Sequence, residues 1–132
     1  GSHRIDLMNY LFGKPVRVDG QVSTLVQSVP VEDNATVMIE YEGGVRAIVD
    51  VRWHSRVERD EFRIRGTEGE IELSPLNEGR IVYPGGEQDL PAHANIHYPC
   101  VANFVSAVLD GEPLRSSGES AIVTDWVTSR IQ

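Results

Sequence analysis

The sequence lacks the features that mark several protein classes. Cys100 is the single cysteine among 132 residues, which excludes an internal disulfide and a multi-cysteine metal site. No apolar run is long enough to cross a bilayer, and no hydrophobic secretory segment follows the first residues. We therefore expect a soluble protein of the reducing cytoplasm that has no membrane partner.

Positive charge is also scarce. Twenty acidic residues against 12 basic ones give a formal net charge of -8, which would repel a nucleic-acid backbone, so we expect no nucleic-acid partner. Hydrophobic residues make up 40% and charged residues 24%, close to the averages for folded soluble proteins. This length and composition predict one domain, residues 1–132, with a real core.

Several motifs of catalysis and cofactor binding are missing as well. The sequence contains no G-x-G-x-x-G dinucleotide loop, no phosphate-binding P-loop and no G-x-S-x-G nucleophile turn. Its histidines, His3, His54, His93 and His97, lack the helical spacing of a zinc-protease site, so no metal site is predicted. This chain alone should not hold a dinucleotide.

Hydrophobic periodicity predicts how the chain begins. Ile5, Met8 and Phe12 recur at helical spacing, and Gly13 followed by Pro15 supplies a stop signal. From residue 15 to residue 27 the period changes to two, which predicts a long strand with one wet face. The chain therefore opens with a short helix and a strand.

A hairpin should follow. A turn that contains Asp33 leads to alternating residues at 37–41, and the Gly43-Gly44 pair then signals a reversal. The returning strand, residues 45–54, has two distinct sides. One side is apolar and ends at Trp53, and the other is mixed and carries Arg46, Ile48, Asp50, Arg52 and His54. Each of these could simply be solvated, but together they suggest a face for another domain or a second subunit.

Shorter elements complete the pattern. Strands are predicted at residues 62–65, 71–73 and 80–83, followed by a helix that begins at Cys100 or Val101 and ends at Asp110. A last helix follows the capping signal at Ser117 and extends to Ile131. This order predicts an α+β fold, with an open, largely antiparallel sheet and helices packed on one face.

Short motifs in a consistent order link the chain to a known family. Residues 1–7, G-S-H-R-I-D-L, resemble the G-x-H-x-x-D-L motif with which the carboxy-terminal domain begins in the Gfo/Idh/MocA oxidoreductases. Residues 31–35 resemble that family's V-x-D-x-A, and residues 62–69 its I-x-G-x-x-G turn. Residues 103–113 and 117–121 resemble its closing helices. The resemblance extends over nearly the whole chain.

The resemblance implies a function for the full-length protein. It implies a carboxy-terminal domain like those of dihydrodipicolinate reductase and glyceraldehyde-3-phosphate dehydrogenase, which follows an amino-terminal Rossmann domain absent from this chain. It further implies an oxidoreductase that uses NAD or NADP on a sugar, inositol or related polyol, and a homo-oligomer, such as a dimer, that assembles through the sheet. The isolated domain should be inactive.

The same resemblance supplies the candidate site residues. His3 matches the histidine that lies beside the reacting hydroxyl, and imidazole is the side chain that exchanges a proton near neutral pH. Arg56 and Glu58 fall in a loop, residues 55–59, that corresponds to a stretch that can reach the substrate in family members; the alternative is that both are solvated surface charges. Gly-Ser-His is also what a cleaved purification tag leaves, and both origins of His3 stay open. The family's preceding aspartate and its lysine lie outside this chain.

A second class of function also fits the pattern. A non-catalytic binding or dimerisation module would use the same mixed sheet face without any enzymatic chemistry. The coding region upstream distinguishes the two hypotheses, because only the enzyme requires a βαβ unit with a glycine-rich phosphate loop there.

Overall fold

The computed structural model describes residues 1–76 and 79–131. Their contacts separate into two compact units. The first contains residues 1–55 and 116–131, and the second contains the described part of residues 56–115.

Three helices and seven strands form within the described residues. The helices are α1 (Ser2–Phe12), α2 (Tyr98–Asp110) and α3 (Gly118–Thr128). The strands are β1 (Pro15–Ser23), β2 (Asn34–Tyr41), β3 (Arg46–Arg52), β4 (Phe62–Gly66), β5 (Gly69–Leu73), β6 (Arg80–Tyr83) and β7 (Gly86–Asp89). None of the helices within the described ranges has the length and apolar character needed to span a bilayer.

The first unit has a three-stranded antiparallel sheet in the order β1-β2-β3. Because side chains alternate along a strand, Val37, Ile39 and Tyr41 of β2 all point to one face, where they are buried. Register pairs Ile39 with Ala47 and Val37 with Val49, so β3 extends the same apolar face. This face is one side of the core.

Helices α1 and α3 supply the other side. Ile5 and Met8 of α1 are buried, and Val127 of α3 is wholly inaccessible to solvent. Helix α1 ends where Gly13 adopts a φ of 83° and donates its backbone N–H to the Asn9 carbonyl, 2.9 Å away. At the start of α3, the Ser117 side chain accepts a hydrogen bond from the Ser120 N–H.

The second unit has a four-stranded antiparallel sheet in the order β4-β5-β6-β7, and it also contains α2. Arg63 of β4 lies 3.1 Å from Glu70 and 3.2 Å from Glu72, both on β5. Arg80 and Glu87 form a similar pair between β6 and β7. Helix α2 has Pro99 in its first turn and ends at Asp110, which is followed by Gly111 with a φ of 71°.

The α+β prediction is confirmed, and its strands hydrogen bond in two sheets. Some predicted boundaries are wrong. Strand β1 ends at Ser23 because the backbone N–H groups of residues 25–27 bond to the Asp33 side chain. Strand β3 ends at Arg52 because Trp53 and His54 form a turn. Strand β7 was missed because its sequence, G-E-Q-D, has no apolar residue to reveal it. Helix α2 begins at Tyr98, and α3 ends at Thr128.

Candidate functional site

His3 lies in the first turn of α1, and its side chain is exposed. The Gly1 carbonyl accepts hydrogen bonds from the N–H groups of Arg4 and Ile5, at 3.0 and 3.2 Å, so the helix is already regular at this end. Two residues after His3, Ile5 is buried in the core. The imidazole therefore projects from a turn that is anchored on its other side.

A chain of side-chain hydrogen bonds fixes α1 against α3 and β2. The Tyr41 hydroxyl donates to Asn9 Oδ1 at 3.1 Å, Asn9 Nδ2 donates to Thr124 Oγ1 at 3.2 Å, and Thr124 Oγ1 donates to Asp6 Oδ1 at 3.0 Å. Burial raises the pKa of Tyr41 to about 12, so its hydroxyl stays a donor near neutral pH. Asp6, the aspartate of the G-x-H-x-x-D-L pattern, thus accepts a hydrogen bond from α3 and has a structural role.

Asp33 organises the loop between β1 and β2. Its carboxylate accepts hydrogen bonds from the backbone N–H groups of Leu25, Val26 and Gln27, at 2.8 to 2.9 Å. These bonds, led by the one from Leu25, lower the pKa of Asp33 to about 2 although its burial acts in the opposite direction. The carboxylate therefore stays ionised and holds the loop closed at ordinary pH.

His54 faces Asp33 from the end of β3. Its Nε2 lies 3.4 Å from Asp33 Oδ2, and about a quarter (27%) of its side chain is exposed. Nε2 is itself buried, and none of the described residues forms a well-aligned hydrogen bond with it. The sequence pattern had assigned His54 to the mixed sheet face, and this assignment is wrong because the strand has already ended.

Trp53 and the strand ends enclose an open depression of about 390 Å³ in the first unit. Asn34 at the start of β2, Arg52 at the end of β3 and Gly1 line it together with Trp53. The Trp53 N–H donates to the Asp33 carbonyl at 2.9 Å, while 72% of the Trp53 residue is exposed. Sequence reasoning placed Trp53 on the apolar side of the strand, and its exposure contradicts that placement.

The other two predicted site residues belong to the second unit. Arg56 and Glu58 are both exposed and lie two residues apart in the loop between β3 and β4. The structure therefore places them in one loop, and it places His3 in the first unit. Their assignment to substrate binding stays a prediction.

His93 has local contacts with its neighbours in sequence. The rings of His93 and Tyr98 stack at 4.4 Å between centroids, and His93 Nδ1 accepts a hydrogen bond from the Asn95 N–H at 3.0 Å. Among the residues that the structure describes, no three His, Cys, Asp or Glu side chains are grouped to hold a metal ion.

Sequence reasoning missed the contact between Asp33 and His54. The V-E-D-N-A segment was noted as a family motif and as a turn, and an aspartate in such a segment often bonds to nearby backbone N–H groups. His54 lies 21 positions further on, and no local pattern links the two residues.

Comparison with known proteins assigns the amino-terminal half of the chain. Residues 1–72 match the family described as the GFO/IDH/MocA C-terminal domain. A D-apiose dehydrogenase from Paraburkholderia graminis is 33% identical over 79 residues, which are 56% of this chain and 21% of that protein.

Solved structures show the same fold over nearly the whole chain. UDP-N-acetylglucosamine 3-dehydrogenase GnnA from Acidithiobacillus ferrooxidans aligns with 98% of this chain at a TM-score of 0.83 and 19% identity. An oxidoreductase from Agrobacterium radiobacter, solved with NAD+, L-tartaric acid and magnesium, aligns with 99% at a TM-score of 0.83 and 20% identity. The chain spans 43% and 44% of these two proteins, respectively.

Proposed function

Because this chain belongs to the GFO/IDH/MocA C-terminal domain family, we propose that it is the substrate-side domain of an NAD- or NADP-dependent oxidoreductase. The substrate is a sugar, an inositol or a related polyol, oxidised or reduced at a CH–OH group. The family match over residues 1–72 carries the proposal. The name of the D-apiose dehydrogenase relative and the NAD+ bound to the Agrobacterium radiobacter protein support it.

The residues of this chain do not fit a dinucleotide by themselves. A pyrophosphate is usually held at a strand, glycine-rich loop and helix unit. The sequence lacks the G-x-G-x-x-G loop, and both described sheets are antiparallel. The cofactor therefore binds elsewhere in the full-length protein, and this chain alone is inactive.

The contribution of this chain to the reaction is to hold and deprotonate the substrate. A nicotinamide held elsewhere in the full-length protein would supply the hydride acceptor for the carbinol carbon. His3 accepts the hydroxyl proton or orients the hydroxyl, since imidazole exchanges protons near neutral pH. Its exposure at the end of an anchored helix leaves it open to a substrate. Arg56 and Glu58 bind substrate hydroxyls from their own loop.

Steady-state kinetics of the full-length protein test the role of His3. We expect His3→Asn to lower kcat by about 10²-fold or more and to remove the acid limb of the kcat/KM profile against pH. His97→Asn is the control, because His97 is an exposed histidine just before α2. Full kcat in His3→Asn would contradict the assignment, and so would an equal loss in the control.

Substrate binding by Arg56 and Glu58 predicts a different kinetic effect. Arg56→Ala and Glu58→Gln should each raise KM by about tenfold with little change in kcat, as loss of uniform binding does. An unchanged KM in both variants would remove these residues from the site.

The outer face of the β1–β3 sheet supports a homo-oligomer. Met38 and Ile48 are paired across β2 and β3 and are 42% and 75% exposed. Ion pairs flank them, with Arg46 3.7 Å from Glu40 and Arg52 3.1 Å from Asp50. An apolar centre with a polar rim is the usual composition of a protein interface. A second copy of this chain covers this face.

Light scattering of the full-length protein tests the interface. We expect Ile48→Asp to convert the oligomer to a monomer, and Arg52→Glu to weaken it. Val45→Asp is the control, because it places the same charge at another exposed position of the first unit. A wild-type protein that stays monomeric at every concentration would exclude this interface.

The alternative, a non-catalytic binding or dimerisation module, is favoured by the same exposed pair, Met38 and Ile48. It predicts oligomerisation without any change in nicotinamide absorbance for any polyhydroxy compound. The coding region upstream separates the two, because the enzyme requires a glycine-rich dinucleotide loop there.

A further inference from the structure

The depression beside Trp53 has the dimensions of a small-ligand site. Its volume of about 390 Å³ lies within the range of roughly 300–1,000 Å³ that is usual for such sites. Every residue that lines it belongs to the first unit. Gly1 lies in its wall, two residues before His3. A ligand in the depression would therefore lie near the first turn of α1.

Trp53 provides an apolar surface at this position. Its 72% exposure is unusual for the largest apolar side chain. Trp53 lies in the turn directly after β3, and the backbone of this turn directs the side chain to solvent. The hydrogen bond from its N–H to the Asp33 carbonyl holds that turn. Its ring also stacks near His54, with centroids 6.5 Å apart and an angle of 23°. The indole is thus presented to solvent from a fixed base.

Polar groups of both signs surround the indole. Glu32 supplies carboxylate oxygens, Asn34 supplies an amide, and Arg52 supplies guanidinium N–H groups, and all three line the depression. Asp33 also lines it, but its carboxylate already accepts three backbone hydrogen bonds. Glu32 can accept hydrogen bonds and Arg52, whose guanidinium also pairs with Asp50 at 3.1 Å, can donate them, which favours a ligand that itself both donates and accepts hydrogen bonds.

We propose that this depression binds the part of the polyhydroxy substrate that is remote from the reacting carbinol carbon. Its C–H face lies on the Trp53 indole, and its hydroxyls bond to Glu32, Asn34 and Arg52. An amphipathic ring suits such a ligand, because a sugar has an apolar face and a polar edge. This proposal rests on the proposed function, and it assigns Trp53 and Glu32 to substrate binding.

Kinetics of the full-length protein, with the best substrate from a panel of aldoses, ketoses and inositols, test the proposal. Trp53→Ala should raise KM by about tenfold or more and leave kcat within about threefold, because stacking on a remote part of the substrate contributes uniform binding. Trp53→Phe keeps a ring and should stay within about threefold of the wild-type KM. Glu32→Gln should raise KM less than Trp53→Ala does.

Tyr10→Ala is the matched control, since Tyr10 is an aromatic residue of the same unit with 78% exposure. An unchanged KM in Trp53→Ala overturns the proposal while the proposed function stands. Equal effects of Trp53→Ala and Tyr10→Ala overturn it as well, and so does a loss confined to kcat.

A protein without turnover on the whole panel would refute the proposed function, and the depression would then be tested by binding alone. Saturation-transfer NMR with D-glucose and myo-inositol would compare wild type with Trp53→Ala. Transfer that disappears in Trp53→Ala supports the site, and transfer that is absent from wild type or equal in both overturns it.

Discussion

The two units of this chain are stabilised in different ways. All of the buried side chains in the described residues lie in the first unit, where Val37, Ile39, Tyr41 and Val127 form the centre of the core. The second unit contains strands joined by ion pairs and a helix, α2, with no buried residue. Four apolar residues of α2 are more than half exposed: Val101, Phe104, Val108 and Leu109.

This difference indicates which of the two units can hold a functional site. Directed contacts such as the Tyr41–Asn9–Thr124–Asp6 chain need a rigid surrounding, and only the first unit provides one among the described residues. The proposed proton acceptor, His3, and the proposed sugar-binding depression both lie in that unit. In the second unit, surface ion pairs hold the strands without a comparable core.

Truncation of a buried side chain should show the largest difference in stability between the two units. Ile39→Ala should lower the free energy of unfolding by about 2–5 kcal/mol, because Ile39 is completely buried. Ile71→Ala, in β5 of the second unit, should cost less than about 2 kcal/mol, since Ile71 is 36% exposed. Urea unfolding of both variants measures the difference, and equal costs would remove the distinction between the units.

Loss of the Asp33 carboxylate should have the second largest effect. The folded-state pKa of Asp33 is lowered from 3.8 to about 2, so the ionised form stabilises the fold above the higher value. This stability is lost as the pH falls from about 4 towards 2. Asp33→Asn should therefore be less stable than wild type at neutral pH, and the gap should narrow at acid pH.

Urea midpoints at about pH 6 and about pH 2.5 measure that gap, which follows from proton linkage. Glu32→Gln is the control, because Glu32 is exposed and adjacent in sequence. A gap that stays constant with pH would show that the carboxylate charge does not stabilise the loop.

Removal of the Tyr41 hydroxyl should cost about 1 kcal/mol, because the partly buried Asn9 amide oxygen would lose its donor. The raised pKa of Tyr41, about 12 against an ordinary 10.0, also predicts a loss of stability as the pH rises from 10 towards 12. Tyr41→Phe should not show the alkaline loss attributable to this group. Urea unfolding of both proteins across that interval is the test, and parallel curves would contradict the assignment.

Disruption of the ion pairs in the second unit should have the smallest effect. Glu72 and, to a smaller extent, Glu70 raise the pKa of Arg63, but exposed pairs of this kind contribute little to stability. Arg63→Gln should shift the urea midpoint slightly at low salt, and the shift should disappear near about 1 M NaCl. A large shift that persists in salt would indicate that the pairs stabilise the unit much as a core does.

Regular elements of the first unit could be predicted from the sequence. Helix α1 and the hairpin of β2 and β3 have clear periods, and Gly13 and the Gly43-Gly44 pair mark their ends. Strand β7 could not be predicted, because it is polar throughout and is defined by its pairing with β6.

The candidate site was only partly predictable. His3 was identified through a motif, whereas the exposure of Trp53 depends on where β3 ends. Periodicity alone would continue that strand to residue 54, but the Trp53 N–H bonds to Asp33 and takes the chain out of the sheet. The end of β3 thus depends on a contact between residues 20 positions apart, which no local sequence pattern can reveal.

Asp33 fixes the backbone of a loop whose neighbouring side chains, at positions 32 and 53, are proposed to contact the ligand. Its carboxylate accepts hydrogen bonds from the backbone N–H groups at 25–27, and its carbonyl accepts one from the Trp53 N–H, so these four bonds do not depend on which side chains occupy those positions. The side chains at positions 32 and 53 can therefore be exchanged while the backbone that carries them stays in place. If the depression binds substrate as proposed, exchanges at these two positions would alter substrate preference without any change in the loop backbone.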